Sequence, residues 1–109
     1  MNKNVILADF VNTDLIDFHF HTNPDDFTDS FIELLLQNRE GKKRHLRFNQ
    51  VSNVMIESGF TGYLGGMVII DISDYQWGYA RIEVQNFEQD PSIKFLAISM
   101  DILIDELST

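Results

Sequence analysis

The sequence predicts an all-β domain, and three observations carry that prediction. Apolar residues recur at period 2 along most of the chain. The alternating runs are bounded by clusters of Gly, Pro, Asn, Asp and Ser, which are turn formers. No segment sustains the 3.6-residue apolar period of an amphipathic helix. With 109 residues, the chain has room for one domain, 1–109. Hydrophobic residues at 44%, nine of them Phe, can build its core without staples.

Each element follows from its own pattern. Val5–Val11 reads as an added strand or a short helix. Leu15–His21 alternates Ile16, Phe18 and Phe20 on one face with Asp17, His19 and His21 on the other. Phe31–Asn38 is apolar on both faces, which suits a central strand or a short helix. The turn residues Asn23-Pro24-Asp25-Asp26 before it and Glu40-Gly41 after it favour the strand. Lys43–Asn49 turns Leu46 and Phe48 inward and His45 and Arg47 outward, and Val54 and Ile56 continue the inward face. Val68–Ile72 is next. Trp77–Phe87 follows as the longest strand, with Ala80, Ile82 and Val84 facing one way. Asp90-Pro91-Ser92 breaks the chain before Ile93–Ile102, and Asp101–Thr109 extends that strand or curls into a helical turn. About seven strands joined by short turns describe an antiparallel meander forming a sandwich or rolled sheet.

Composition narrows the chemistry. The absence of Cys removes disulfides, thiolate nucleophiles and Cys-ligated zinc. The apolar run near the N-terminus is too short for a signal peptide, and none elsewhere approaches the ~20 residues of a membrane helix. A cytoplasmic location with no membrane partner is the expectation. Seventeen acids against eight bases leave a net charge of −9, which argues against nucleic acid as a partner because backbone binding needs clustered positive charge. The charge is segregated. Residues 39–47 hold Arg39, Lys42, Lys43, Arg44 and Arg47 against Glu40, a local +4, so the remainder carries −13. From Lys3 to Arg39 there are seven acids and no base. An acidic face of this kind steers a basic protein partner. The basic hairpin is a solvated turn, or a patch that meets the acidic face of a second copy.

Sites for catalysis are poorly supported. Alternate strand positions bring Asp17, His19 and His21 to one face, where they could hold a metal in a small β-barrel that binds metal or ligand, with His45 outward on a later strand. Polar residues on the wet side of an amphipathic strand explain the same pattern. Gly59, Gly62, Gly65 and Gly66 form a glycine-rich loop, yet a strand pattern follows it and no Lys or Arg lies between Arg47 and Arg81, so phosphate binding is disfavoured. No nucleophile elbow surrounds any of the seven Ser residues. The expectation is a protein without catalytic activity and without a cofactor.

The stripe Tyr75, Trp77, Tyr79 and Arg81 shares one strand face and continues into Glu83 and Gln85, which implies solvent on that side. Trp, Tyr and Arg are enriched at binding hot spots, although Tyr75 and Trp77 could equally cap one end of the core. The candidate partner-binding residues are therefore Asp17, Asp25, Asp26, Asp29, Glu33, Tyr75, Trp77, Tyr79 and Arg81. A homodimer through the aromatic strand is the alternative use of that stripe.

The strand pair within His45-Leu46-Arg47-Phe48-Asn49-Gln50-Val51-Ser52-Asn53-Val54, the Trp77-x-Tyr79 strand and the closing Ile93-Lys94-Phe95-Leu96-Ala97-Ile98 extend over about half of the chain. In order and pattern this resembles the small, acidic, all-β immunity proteins of bacterial polymorphic-toxin and contact-dependent competition systems. The resemblance implies a non-catalytic protein that binds and blocks a cognate toxin. Charge complementarity then points to a basic toxin such as a nuclease.

Overall fold

Nine antiparallel strands appear in the computed structural model, which describes residues 4–7, 10, 12–64, 67–73, 80–86 and 93–106. They are β1 (Asn4–Leu7), β2 (Thr13–His21), β3 (Phe31–Asn38), β4 (Lys43–Asn49), β5 (Ser52–Ile56), β6 (Met67–Asp71), β7 (Ile82–Asn86), β8 (Ile93–Ala97) and β9 (Ser99–Asp105). Two sheets result, one ordered β1-β6-β7-β8-β5 and the other β2-β3-β4-β9. The predicted all-β, two-layer architecture holds, and the sheets do not close into a barrel. The two strands beyond the expected seven have clear origins. Val5 lies in β1, and the run Ile93–Ile102 divides at Ile98 into β8 and β9.

That division is a corner. The chain leaves the four-stranded sheet as β4 and enters the five-stranded sheet as β5. Beside it, β8 of the five-stranded sheet becomes β9 of the other. A two-stranded ribbon thus bends from one sheet into the next, a standard way to turn a sandwich corner. Gln50 makes the bend with φ 53°, and Ile98 N–H donates to Asn49 O at 3.0 Å. Two meanders, β2-β3-β4 and β6-β7-β8, are therefore joined by strands that change sheets, and a single meander is not what the chain forms.

One core fills the space between the sheets. Ile32, Leu34, Leu36, Leu46 and Phe48 of the four-stranded sheet meet Ile69, Val84, Ile93, Phe95 and Ala97 of the other, all buried. Phe48 and Phe95 join the layers edge to face, with centroids 4.9 Å apart. The double-sided apolar pattern of Phe31–Asn38 is explained by position, because β3 lies between β2 and β4 with Phe31 and Leu35 half-buried on the outer face.

Several side chains sit differently from their expected positions. A β-bulge between Leu15 and Asp17 inserts Ile16 as an extra residue, so Leu15 and Phe18 pack on the core while Ile16 is exposed; Phe20, opposite the buried Ile32, is also exposed. Val54 packs inward as expected, but Ile56 is exposed on the sheet edge. Ile82 and Val84 join the main core, whereas Ala80 packs with Val68, Ile70 and Ile72 on the opposite side of the five-stranded sheet. Glu83 pairs with Ile70 and Gln85 with Val68, so the face continuing from Arg81 holds buried aliphatics and is not a plain solvent face. Arg44 is not part of a solvated hairpin: it is 1% exposed, with Nε 3.0 Å from Asp105 Oδ1. Arg39, Lys42 and Lys43 remain exposed at that turn.

Candidate protein-docking face

The outer face of the four-stranded sheet gathers most of the polar side chains singled out above. Cross-strand register sets them in rows. His19 lies opposite Glu33, Glu33 opposite Arg47, and Arg47 opposite Asp101. In the next row His21 faces Phe31, which faces Asn49. Glu33 is the hub. Its Oε1 is 3.0 Å from His45 Nε2, and Arg47 Nη1 donates to its Oε2 at 3.3 Å. Arg47 also covers the Phe31 ring at 3.9 Å, and His21 stacks on the same ring at 5.0 Å. Glu33 is thus a half-buried structural partner more than a free steering charge.

Asp17, His19 and His21 do share this face, as alternation requires, but each is engaged separately. Asp17 Oδ1 accepts the Phe18 N–H at 3.0 Å, His19 lies against Phe31, and His21 Nε2 is 3.3 Å from Asp29 Oδ2. Among the described residues no group of three or more His, Asp or Glu is arranged to hold a metal ion. A pit of about 100 Å³ lies between Asp17, His19, Glu33, Leu35 and His45.

The remaining acids sit in the loop 22–30, where β2 hands over to β3. Here the short polar side chains bond to the backbone and build successive turns. Asn23 Oδ1 accepts the Asp25 N–H at 3.0 Å, and Asp26 Oδ1 accepts the Thr28 N–H at 3.0 Å and its hydroxyl at 2.6 Å. Asp29 Oδ2 accepts from Asn23 Nδ2 at 3.2 Å, and Gln50 N–H donates to Ser30 O at 2.8 Å. The hydrogen bonds from His21 and Asn23 hold the Asp29 carboxyl below the usual carboxylate range.

This loop presents a residue that sequence reasoning passed over. Phe27 is 57% exposed, among the largest exposures of any apolar side chain described, and Asp25, Asp26 and Asp29 surround it in sequence, all exposed. The signal was a lone aromatic in an acidic turn segment. Arg81 is exposed just before β7, and Tyr75, Trp77 and Tyr79 lie outside the described residues, as do Gly65 and Gly66. Among the described residues no helix is long and apolar enough to cross a membrane. No family model matches the chain, and no curated protein or solved structure is significantly similar to it.

Proposed function

We propose that this chain is a non-catalytic, immunity-type protein that binds and neutralises a basic cognate toxin. The observation that carries the reading is the loop 22–30, a hydrogen-bonded series of turns offering an exposed aromatic among three exposed carboxylates. A preordered loop loses little conformational entropy on binding, so an aromatic anchor on it is well used. The carboxylates supply long-range attraction, which raises the encounter rate of a basic partner and falls with salt. The expected partner is a basic protein, a nuclease being the natural class. The Tyr75, Trp77, Tyr79 stripe with Arg81 is a second candidate anchor, carried by sequence pattern. Cytoplasmic residence follows from the same reading.

Kinetics test the division of labour. Against the isolated partner, Asp25→Asn with Asp26→Asn is expected to lower the association rate about tenfold at low salt and to flatten its salt dependence. Phe27→Ala, and Trp77→Ala if the stripe contributes, is expected to raise the dissociation rate instead. Unchanged association and dissociation rates in both sets of variants would overturn the assignment of this surface.

A further inference from the structure

β2 forms one edge of the four-stranded sheet, and its first residues already have a strand-like neighbour. Leu15 N–H donates to Gly62 O at 2.7 Å, Leu64 N–H donates to Thr13 O at 2.9 Å, and Asp14 bridges Tyr63 in antiparallel fashion. The pairing ends at Gly62. From Ile16 to His21 no described strand lies alongside that edge. Where the two segments part, a shallow, open groove of about 380 Å³ lies between Leu15, Ile16, Asp17 and Phe18 on one side and Phe60, Thr61 and Gly62 on the other. Ile16 is 46% exposed and Phe20 42%, so the open edge carries apolar side chains. The Phe18 N–H donates to its neighbour's carboxylate, Asp17 Oδ1, at 3.0 Å. A local acid covers this edge amide where an adjoining strand would supply a carbonyl.

Charge decides what kind of segment fits. The two stretches of chain that form the groove walls, 12–38 and 48–80, contain no Lys or Arg. Asp14 and Asp17 are exposed on either side of Ile16, and the acidic loop lies beyond the far end of the edge. A second copy of this chain would bring acids against acids, which disfavours pairing. We propose that the β2 edge from Ile16 to Phe20 takes up an extended segment of the partner, alternating basic and apolar residues, as an added antiparallel strand. The proposal rests on the basic-partner reading above. Main-chain bonds would replace the Asp17–Phe18 contact, the groove would receive an apolar side chain, and Asp17 would face a basic one.

The experiment uses the whole chain labelled with nitrogen-15 and the capped peptide Lys-Val-Lys-Val-Lys-Val-Lys, with Glu-Val-Glu-Val-Glu-Val-Glu as control. The Lys-Val peptide is expected to give saturable shifts centred on residues 15–20 and 60–64. It should slow hydrogen exchange at the Phe18 amide at least tenfold, while the Glu-Val peptide gives neither effect. Ile16→Lys places a cation at an exposed position and is expected to weaken peptide binding at least tenfold with an otherwise preserved spectrum. Absence of saturable binding, shifts centred on β5 or β9, unchanged exchange at Phe18, or full binding by Ile16→Lys would each overturn the proposal. The exchange readout on the parent chain needs no variant to fold. Failure of the docking reading is separable: Asp25→Asn, Asp26→Asn and Phe27→Ala together would then leave the protein partner's affinity unchanged. Strand addition alone fails if those substitutions weaken the partner while Ile16→Lys does not.

Discussion

Removing the carboxylate of Asp105 should cost this fold more than removing a partner from any other described ion pair. Arg44 points inward beside Leu46 and Phe48, is 1% exposed, and sets its guanidinium over the Phe10 ring at 5.3 Å from the centroid. Its Nε donates to Asp105 Oδ1 at 3.0 Å, and the Asp105 side chain is 18% exposed. Breaking a buried pair from one side removes an interaction that offset the desolvation of the remaining charge, and costs roughly 3–5 kcal/mol. The partial exposure of Asp105 places Asp105→Ala near the lower end, about 3 kcal/mol. With an m-value of about 1.5 kcal/mol per molar urea, the midpoint should fall by about 2 M. Thermal unfolding should shift down by roughly 12–20 °C. Replacing both partners, Arg44→Met with Asp105→Leu, should recover most of the loss because both charges of the pair are then gone. A midpoint shift worth less than about 0.5 kcal/mol for Asp105→Ala would refute the reasoning, as would a double variant no more stable than the single one.

Other consequences can be checked on the same protein. Glu33→Gln breaks contacts to His45 and Arg47, but those side chains are 24–37% exposed; its cost should stay below about 1 kcal/mol, and a larger urea shift would contradict the surface-pair assignment. Leu34→Ala, fully buried between Phe18 and Leu46, should cost about 3 kcal/mol, whereas Ile104→Ala, 44% exposed, should cost under about 1 kcal/mol. Equal midpoints for the two would place the core elsewhere. Asp29 titrates below its ordinary 3.8 because His21 and Asn23 hydrogen-bond its carboxylate. The tether's contribution is therefore complete above that ordinary value and is lost as pH falls through the lowered folded one. In His21→Ala the Asp29 carboxyl carbon should titrate closer to 3.8 by NMR; an unmoved titration would count against the His21 contact.

Much of the fold was legible because period-2 alternation is a direct consequence of pleating, and β4 and β8 follow it. The bulge was not. Ile16, Phe18 and Phe20 alternate without fault in the sequence, and only the register with β3 shows that an extra residue places Leu15 on the core and Ile16 outside it. The corner at Ile98 left no trace either, since no Gly or Pro marks it and Ala97-Ile98-Ser99 continues a strand-like run. Arg44 was half legible: it shares parity with Leu46 and Phe48, but a run of five bases suggests solvent, and its partner is 61 residues away. In the candidate site, alternation placed Asp17, His19 and His21 on one face correctly. It could not show that Glu33 is occupied by His45 and Arg47, because that depends on the β3–β4 register. Phe27 was missed because a single aromatic in a polar turn has no period to announce it.

We propose that the acidic, turn-stiffened loop recruits a basic protein. The most direct test is quantitative capture from the cells that express the chain, comparing the parent with Asp25→Asn, Asp26→Asn and Phe27→Ala combined. One basic protein is expected to be held by the parent at low salt, released by about 0.5 M salt, where the Debye length is only about 4 Å, and lost from the triple variant. Equal retention by the two proteins, or retention of acidic proteins only, would contradict it.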